Sequence, residues 1–250
     1  MSSQTGHVHI GTSGWSYAHW AKGVFYPRGL KQGEWLPFLA RTFDTVEVNS
    51  TFYRIPKPSI VERWRDITPS RFKFAVKLWR MITHQKKLDD CESQLRDFLD
   101  IYKLFESKRG PLLVQLPPTL QADFGKLNAF IDAIKDLSGK VRPKIVIEPR
   151  HESWFTDNLH QLLDRQRASL CVADMPKYSV EQPNDASFVY IRRHGPGGGY
   201  RGKYSETHIK NDAAHIRAWL KDGRDVYIYY NNDMQGYAVT NAKQLLDALA

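Results

Sequence analysis

The amino-acid sequence predicts a single α/β domain of the (β/α)8 barrel class, with eight parallel strands inside a ring of helices. Eight short apolar runs of strand type recur along the chain, and helical periodicity follows most of them. Each run ends in polar, charged or aromatic residues, as expected for a barrel whose site lies at the carboxyl ends of its strands. A length of 250 residues is typical of one such barrel, so we predict one domain over residues 1–250.

The predicted elements alternate along the chain. The strands are predicted at 8–12, 45–48, 72–76, 112–115, 145–148, 170–173, 188–191 and 226–230. The helices are predicted at 34–41, 59–66, 89–106, 122–137, 155–166, 211–221 and 236–249. The connection after the sixth strand, 175–186, contains Pro176 and Pro183, and we expect little helix there because proline interrupts helices.

The composition favours a basic protein of the cytoplasm. The net charge is +9, which favours anionic partners. Cys91 and Cys171 have no metal-type spacing, so we interpret them as reduced core residues. The chain begins without an apolar secretion segment, and no uninterrupted apolar stretch reaches membrane-spanning length. We therefore expect a cytoplasmic location and no membrane partner.

The glycine-rich stretch 195–204 is the longest flexible segment that the sequence suggests. It lacks the terminal Gly-Lys-Ser/Thr of a nucleotide-binding loop, so the sequence has no motif for a nucleotide cofactor. We expect a mobile flap over the mouth of the barrel instead.

The alternation of side chains along the strands predicts which polar residues enter the barrel. Val46 and Val48 suit the helix side of the second strand, which turns Glu47 and Asn49 inward. The same argument, applied to the other strands, turns a larger set of polar side chains inward. These are Lys77, Gln115, Glu148, Arg150, Tyr190, Arg192, His194 and Asn231.

Two interpretations of this cluster are open. Glu47, Glu148, Lys77 and Arg192 could neutralise one another as a structural ion network, because buried charges need partners. Alternatively, the excess of cations leaves positive charge for an anionic ligand. Aromatic residues beyond the strand ends could be core, or could be surfaces on which a base or sugar stacks. They are Trp15, Trp20, Tyr53, Trp79, Trp154, Tyr200 and Tyr204.

Several motifs together resemble one known family. They are Gly11-Thr12-Ser13-Gly14-Trp15-Ser16-Tyr17, Val46-Glu47-Val48-Asn49-Ser50-Thr51-Phe52-Tyr53, Thr83-His84, Gln115-Leu116-Pro117-Pro118, Glu148 with Arg150-His151, Arg192 with His194-Gly195, and Asn231-Asn232-Asp233 with Asn241-Ala242. The chain closely resembles the YecE-like family, known as domain of unknown function 72. This resemblance implies a TIM-type barrel but no reaction. Pro149 departs from the aromatic residue expected between Glu148 and Arg150.

The sequence favours a hydrolase that acts on a phosphate-bearing substrate, either nucleic acid or a nucleotide. Glu47, Glu148 and His194 are the candidate catalytic residues. The candidate substrate-binding residues are Trp15, Asn49, Tyr53, Lys77, Trp79, His84, Gln115, Arg150, Arg192, Tyr204, Asn231 and Asp233. A divalent metal is a candidate cofactor with Glu47, Glu148, His194 and Asp233 as ligands, although no spacing here is diagnostic of a metal site.

Two other functions stay open at this point. Glu47 and Glu148 could act as the acid and base of a metal-free enzyme on a sugar-type substrate. The protein could also bind nucleic acid or a phosphorylated metabolite without turnover.

Overall fold

The computed structural model describes residues 6–175 and 177–250. Its eight strands pair in parallel in sequence order and close into a barrel. The strands are β1 Val8–Ser13, β2 Thr45–Val48, β3 Lys73–Lys77, β4 Arg109–Gln115, β5 Ile145–Glu148, β6 Ser169–Ala173, β7 Phe188–Arg193 and β8 Asp225–Tyr230. The predicted (β/α)8 barrel is confirmed.

Helices follow most of the strands. They are α1 Trp35–Thr42, α2 Ser50–Tyr53, α3 Pro58–Asp66, α4 Glu92–Lys103, α5 Phe124–Ser138, α6 Asp157–Gln166, α7 Glu206–Lys221 and α8 Tyr237–Leu249. A π-helical turn at Met81–Gln85 follows β3. Short 3-10 turns lie at Ala18–Trp20, Gln32–Glu34, Glu106–Lys108, Glu152–Trp154 and Met234–Gly236.

The boundaries differ from the predictions where local capping decides them. Helix α7 begins at Glu206, five residues before the predicted start, because the Ser205 hydroxyl accepts a hydrogen bond from the backbone N–H of His208. Helix α4 is shorter than predicted and begins only at Glu92. Residues 177–186, after β6, contain no helix, as predicted; Val180 forms an isolated bridge with Ala173.

Backbone contacts divide the chain into two compact units. The first unit consists of Met1–Glu47, Cys171–Pro183 and Ser187–Ala250, and it includes β1, β7 and β8. The second consists of Val48–Leu170 and Asn184–Ala186, and it includes β3, β4 and β5. The single domain over 1–250 stays a prediction.

The strands are buried along nearly their whole length. In the second unit Lys77 is in register with Leu113, and Gln115 is in register with Glu148, so polar side chains end three neighbouring strands. Cys91 and Cys171 are buried and form no disulfide with each other. Among the described residues, no helix is both long enough and apolar enough to cross a membrane.

The close approach of β1 to β2 requires a glycine at position 11. A Cβ atom on Gly11 would lie 2.3 Å from the carbonyl oxygen of Thr45. We therefore expect Gly11→Ala to lower the free energy of unfolding by about 1–3 kcal/mol in urea denaturation, because two paired strands must separate. Gly197→Ala is the matched control, since a Cβ there meets nothing within 4 Å. Equal stability of the two variants would contradict the expectation.

Candidate functional site

Glu47 lies at the centre of a buried network in the first unit. Its Oε1 accepts hydrogen bonds from Ser13 Oγ at 2.8 Å and Arg192 Nη2 at 2.9 Å. Its Oε2 accepts from Tyr190 OH at 2.7 Å and Arg192 Nε at 2.9 Å. A carboxylate has about four acceptor positions, and these four bonds use them. We call this set, with His194, Asp174 and Tyr204, the Glu47 network.

The electrostatic balance keeps Glu47 ionised. Complete burial raises its pKa, but the charge of Arg192 and the hydrogen bonds from Arg192, Tyr190 and Ser13 outweigh burial and hold the pKa below 4.5. An ionised carboxylate with four bonds is a poor proton acceptor, because protonation would break a bond to a buried cation. The geometry therefore favours the structural interpretation of Glu47 over the catalytic one.

His194 is fully buried between Arg192 and Asp174. Its Nε2 lies 3.0 Å from Arg192 Nη1. A guanidinium always donates, so Nε2 accepts and the ring proton belongs on Nδ1, which lies 3.4 Å from Asp174 Oδ1. The lone pair that a general base would use is thus engaged by Arg192. This geometry gives His194 the role of an orienting group for Arg192.

Tyr204 is a buried member of the Glu47 network and not a surface residue. It is 3% exposed, and its hydroxyl donates to Asp174 Oδ2 and accepts from the backbone N–H of Gly195 at 2.6 Å. Burial raises the pKa of Asp174, yet the bonds from His194 and Tyr204 and the charge of Arg193 hold that pKa below its ordinary range. A ring buried in this way offers no face for stacking, which corrects the expectation for Tyr204.

Two asparagines fix the glycine-rich stretch at its carboxyl end. Asn241 Oδ1 accepts from the backbone N–H of Tyr204 at 3.1 Å, and Asn241 Nδ2 donates to the Tyr204 carbonyl at 3.1 Å. Asn232 Nδ2 donates to the Gly202 carbonyl at 2.8 Å. The expected flap is therefore anchored to β8 and α8 at this end.

Three other predicted residues of the first unit lie near strand ends. Trp15 is 9% exposed, and its carbonyl accepts from Tyr26 OH at 2.6 Å. Asn231 is buried at the end of β8. Burial raises the pKa of the Asp233 carboxyl, while its carbonyl accepts from Trp20 Nε1 at 2.8 Å.

In the second unit, Lys77 lies against an aromatic ring. Its Nζ is 4.1 Å from the centre of the Phe52 ring, and the side chain is largely buried. The Thr51 hydroxyl contacts the Lys77 carbonyl at 2.7 Å and so ties α2 to the end of β3. His84 meets the same Phe52 ring edge to face, with centroids 4.9 Å apart. We call Phe52, Lys77, Arg80 and His84 the Lys77 cluster.

The Lys77 cluster places two cationic side chains close to His84. Partial burial lowers the pKa of His84 most, and the charges of Lys77 and Arg80 lower it further, to about 4. His84 is therefore neutral at pH 7. Its Nδ1 lies 2.8 Å from the hydroxyl of the buried Thr83. The neutral imidazole of His84 therefore lies beside two cationic side chains.

Glu148 and Arg150 form a buried ion pair at the end of β5. Arg150 Nη2 donates to Glu148 Oε1 at 2.6 Å, and the side chains are 7% and 2% exposed, respectively. Gln115 ends β4, where it is in register with Glu148 of β5, and it is partly buried. These residues and Lys77 end three adjacent strands of one unit.

The segments beside the Lys77 cluster are basic and partly aromatic. Residues 49–57 and 77–87 together carry six Lys or Arg residues and no Asp or Glu. Tyr53 is 67% exposed, and Trp79 is partly exposed. Asn49 precedes the single turn of α2 and is partly buried. Basic side chains and at least partly exposed aromatic rings thus lie in the same two segments.

The described residues, 6–175 and 177–250, contain no group of three or more His, Cys, Asp or Glu side chains that could hold a metal ion. Glu47 is engaged by Arg192, and Glu148 by Arg150, which accounts for two of the proposed ligands. The donor set therefore does not fit a divalent metal, and we derive no step through one.

Sequence reasoning missed Arg80, Phe52 and Asn241 as site residues. The acid-free composition of 77–87 could have identified Arg80, because a basic window without acids is a readable signal. Phe52 lies within a quoted motif, but nothing in the sequence shows that Lys77 would contact it. Asn241 is a polar residue on the buried face of α8, which is a signal for a hydrogen-bonding role.

Comparison with known proteins gives the family of the chain. Residues 9–250 match the family described as "Protein of unknown function DUF72". The chain belongs to this family. The UPF0759 protein YecE of Escherichia coli K12 is 32% identical over 196 residues, which are 76% of this chain and 67% of YecE. YunF of Bacillus subtilis is 25% identical over 274 residues, covering 97% of this chain and 94% of YunF.

A solved structure of the DUF72 family shares the fold. The crystal structure of a DUF72 family protein from Thermotoga maritima is 27% identical and has a TM-score of 0.80, covering 97% of this chain and 99% of its own. The resemblance to the YecE-like family is thereby confirmed.

We expect Glu47→Gln to lower the free energy of unfolding at pH 7 by about 3–5 kcal/mol, because it leaves the buried Arg192 without its anion. The pKa of Glu47 is depressed in the fold, so its contribution is present above pH 4.5 and is lost as pH falls through the lower, folded pKa. Urea denaturation should therefore show a difference in the free energy of unfolding between parent and Glu47→Gln that becomes smaller as the pH falls below 4.5.

The control for this comparison is Glu181→Gln, a change at an exposed glutamate that should leave stability near that of the parent. If Glu47→Gln were as stable as this control at pH 7, the Glu47 network would not hold the first unit together.

Proposed function

We propose that the protein is a hydrolase that binds a phosphate-bearing substrate at the carboxyl ends of β3, β4 and β5. The observation that carries the proposal is the field of Lys77 and Arg80, which helps to hold His84 neutral. A phosphate in this position would gain favourable charge and hydrogen bonds from the largely buried Lys77 and the exposed Arg80. Arg150 follows the end of β5, so its guanidinium is a third cationic group at these strand ends.

Glu148 is the carboxylate that lies at the carboxyl ends of these strands, and we assign it the catalytic role by its position. In the proposed step its carboxylate takes a proton from a water molecule while the water oxygen attacks phosphorus. The bond from phosphorus to the leaving oxygen then breaks, and that oxygen takes a proton from solvent. Arg150, bonded to Glu148, would hold the carboxylate in place, and Lys77 would offset the charge that develops on the phosphoryl oxygens.

The loops beside the Lys77 cluster favour nucleic acid over a small phosphate ester. Six basic residues without an acid suit a chain of phosphates. Tyr53 supplies an exposed ring on which an unpaired base can stack. A sugar-type substrate without phosphate would leave this positive charge unused, so we rank it lower.

A second candidate is a nucleic-acid-binding protein without turnover. It is favoured by the saturated bonding of Glu47 and by the burial of Glu148, which is 2% exposed. Oligonucleotide binding without hydrolysis would favour this second candidate over the hydrolase.

Inorganic phosphate should raise the melting temperature, with a smaller rise at high salt because screening weakens attraction at exposed charges. Arg80→Gln removes an exposed charge and should reduce this rise while leaving the fold intact. Lys210→Gln, an exposed change on α7, is the control. If phosphate stabilises Arg80→Gln and Lys77→Gln as well as the parent, the anion binds elsewhere.

A single-stranded oligonucleotide should bind in a salt-dependent manner and lose affinity on Tyr53→Ala by about 1–3 kcal/mol, the usual contribution of one stacked base. Fluorescence anisotropy measures both effects. Val24→Ala removes another exposed apolar side chain and serves as control. Affinity that is indifferent to Tyr53 and to salt would favour a small phosphate ester.

Glu148→Gln should slow hydrolysis of an oligonucleotide or of bis(p-nitrophenyl) phosphate by about 100-fold or more, the usual contribution of a general base. Phosphate binding should persist, because the amide oxygen still accepts from Arg150. Glu152→Gln, an exposed change in the next turn, is the control. If the parent shows no turnover, the protein is a binding protein without turnover. If parent and Glu148→Gln hydrolyse the substrate at equal rates per folded molecule, Glu148 is not the general base.

A further inference from the structure

An open groove lies between α4 and α5, in the second unit. Its volume is about 870 Å³. Residues from the turn before α4, from α4 and from α5 line it, and no residue of the Lys77 cluster is among them. The proposed hydrolase does not use this groove.

The groove exists because one face of α5 has very small side chains. Gly125, Ala129 and Ala133 are four residues apart, so they share a face of the helix. Larger side chains there would fill the space beside α4. The floor is apolar, since Leu95 of α4 and Phe130 of α5 are 1% and 4% exposed. The groove therefore offers an apolar floor and room for a bulky side chain from outside.

The rim of the groove is acidic although the chain as a whole carries +9. Asp89, Asp90 and Glu92 lie at one end and Asp136 at the other. Lys126 pairs with Asp89 at 2.7 Å, and Glu92 pairs with Arg96 at 2.9 Å. Asp90 and Asp136 are exposed at opposite ends. A basic partner would meet complementary charge here and repulsion over most of the rest of the surface.

We propose that this groove binds a basic amphipathic helix of another protein. From Gly125 to Leu137 the wall of α5 extends about 18 Å, which matches a helix of about three turns. Apolar side chains at i, i+3, i+4 and i+7 would enter the groove over Ala129 and Ala133, and Lys or Arg side chains would reach Asp90 and Asp136.

A second copy of this chain does not supply such a helix. Among the described residues, the exposed large apolar side chains are Val24, Tyr53, Ile60, Tyr200 and Met234. Only Ile60 lies on a helix of eight or more residues. A helix face with several free apolar side chains must therefore come from a different protein.

The test uses a fluorescent 14-residue peptide with Leu at i, i+3, i+4, i+7 and i+11 and Lys at most other positions. We expect the parent protein to bind this peptide with a Kd in the micromolar range. Ala129→Trp should weaken binding at least tenfold because the indole fills the groove. Asp90→Asn combined with Asp136→Asn should weaken it several-fold and flatten its salt dependence.

Ala214→Trp, at an exposed alanine of α7, is the matched control and should bind like the parent. Circular dichroism establishes that each variant is folded, and the phosphate-induced rise in melting temperature should be the same in Ala129→Trp as in the parent. Equal peptide affinity in Ala129→Trp and Ala214→Trp would overturn the proposal. Concentration-dependent dimerisation that Ala129→Trp abolishes would overturn it as well, in favour of a second copy.

Discussion

The first unit depends on the contact of the Arg192 guanidinium with Glu47. Arg192 is 1% exposed and gives two hydrogen bonds to the carboxylate of Glu47 and one to His194. A buried ion pair is stable only if its remaining bonding positions are filled. Ser13 and Tyr190 fill those of Glu47, and Asp174 orients His194. Removal of Glu47 or Arg192 therefore leaves a buried charge without its partner. Because each buried charge needs such partners, polar side chains from separate strands converge on the Glu47 network.

The Lys77 cluster has the opposite character. Lys77 lies against the face of Phe52, and its charge, with that of Arg80, lowers the pKa of His84. The Glu47 network is closed, because its charges are satisfied by one another. The Lys77 cluster lies beside exposed rings and acid-free loops, and it is the surface that we propose to receive an anion.

Much of the fold could be predicted because its signals are local. Alternation on β2 correctly predicted that Glu47 is buried, and two prolines correctly predicted the connection without a helix after β6. The roles of the residues were less accessible. Nothing in the sequence shows that Glu47 accepts four hydrogen bonds, because its partners Tyr190 and Arg192 are 143 and 145 residues away. Tyr204 was misjudged for the same reason, since its partner Asp174 is 30 residues away.

The most direct test of the account is the pKa of His84, measured by NMR with and without inorganic phosphate. The free protein should show a value of about 4, because burial and the charges of Lys77 and Arg80 disfavour the imidazolium. A bound phosphate would offset those charges, so the pKa should rise on saturation. A pKa that stays near 4 when phosphate is saturating would contradict an anion site at the ends of β3, β4 and β5.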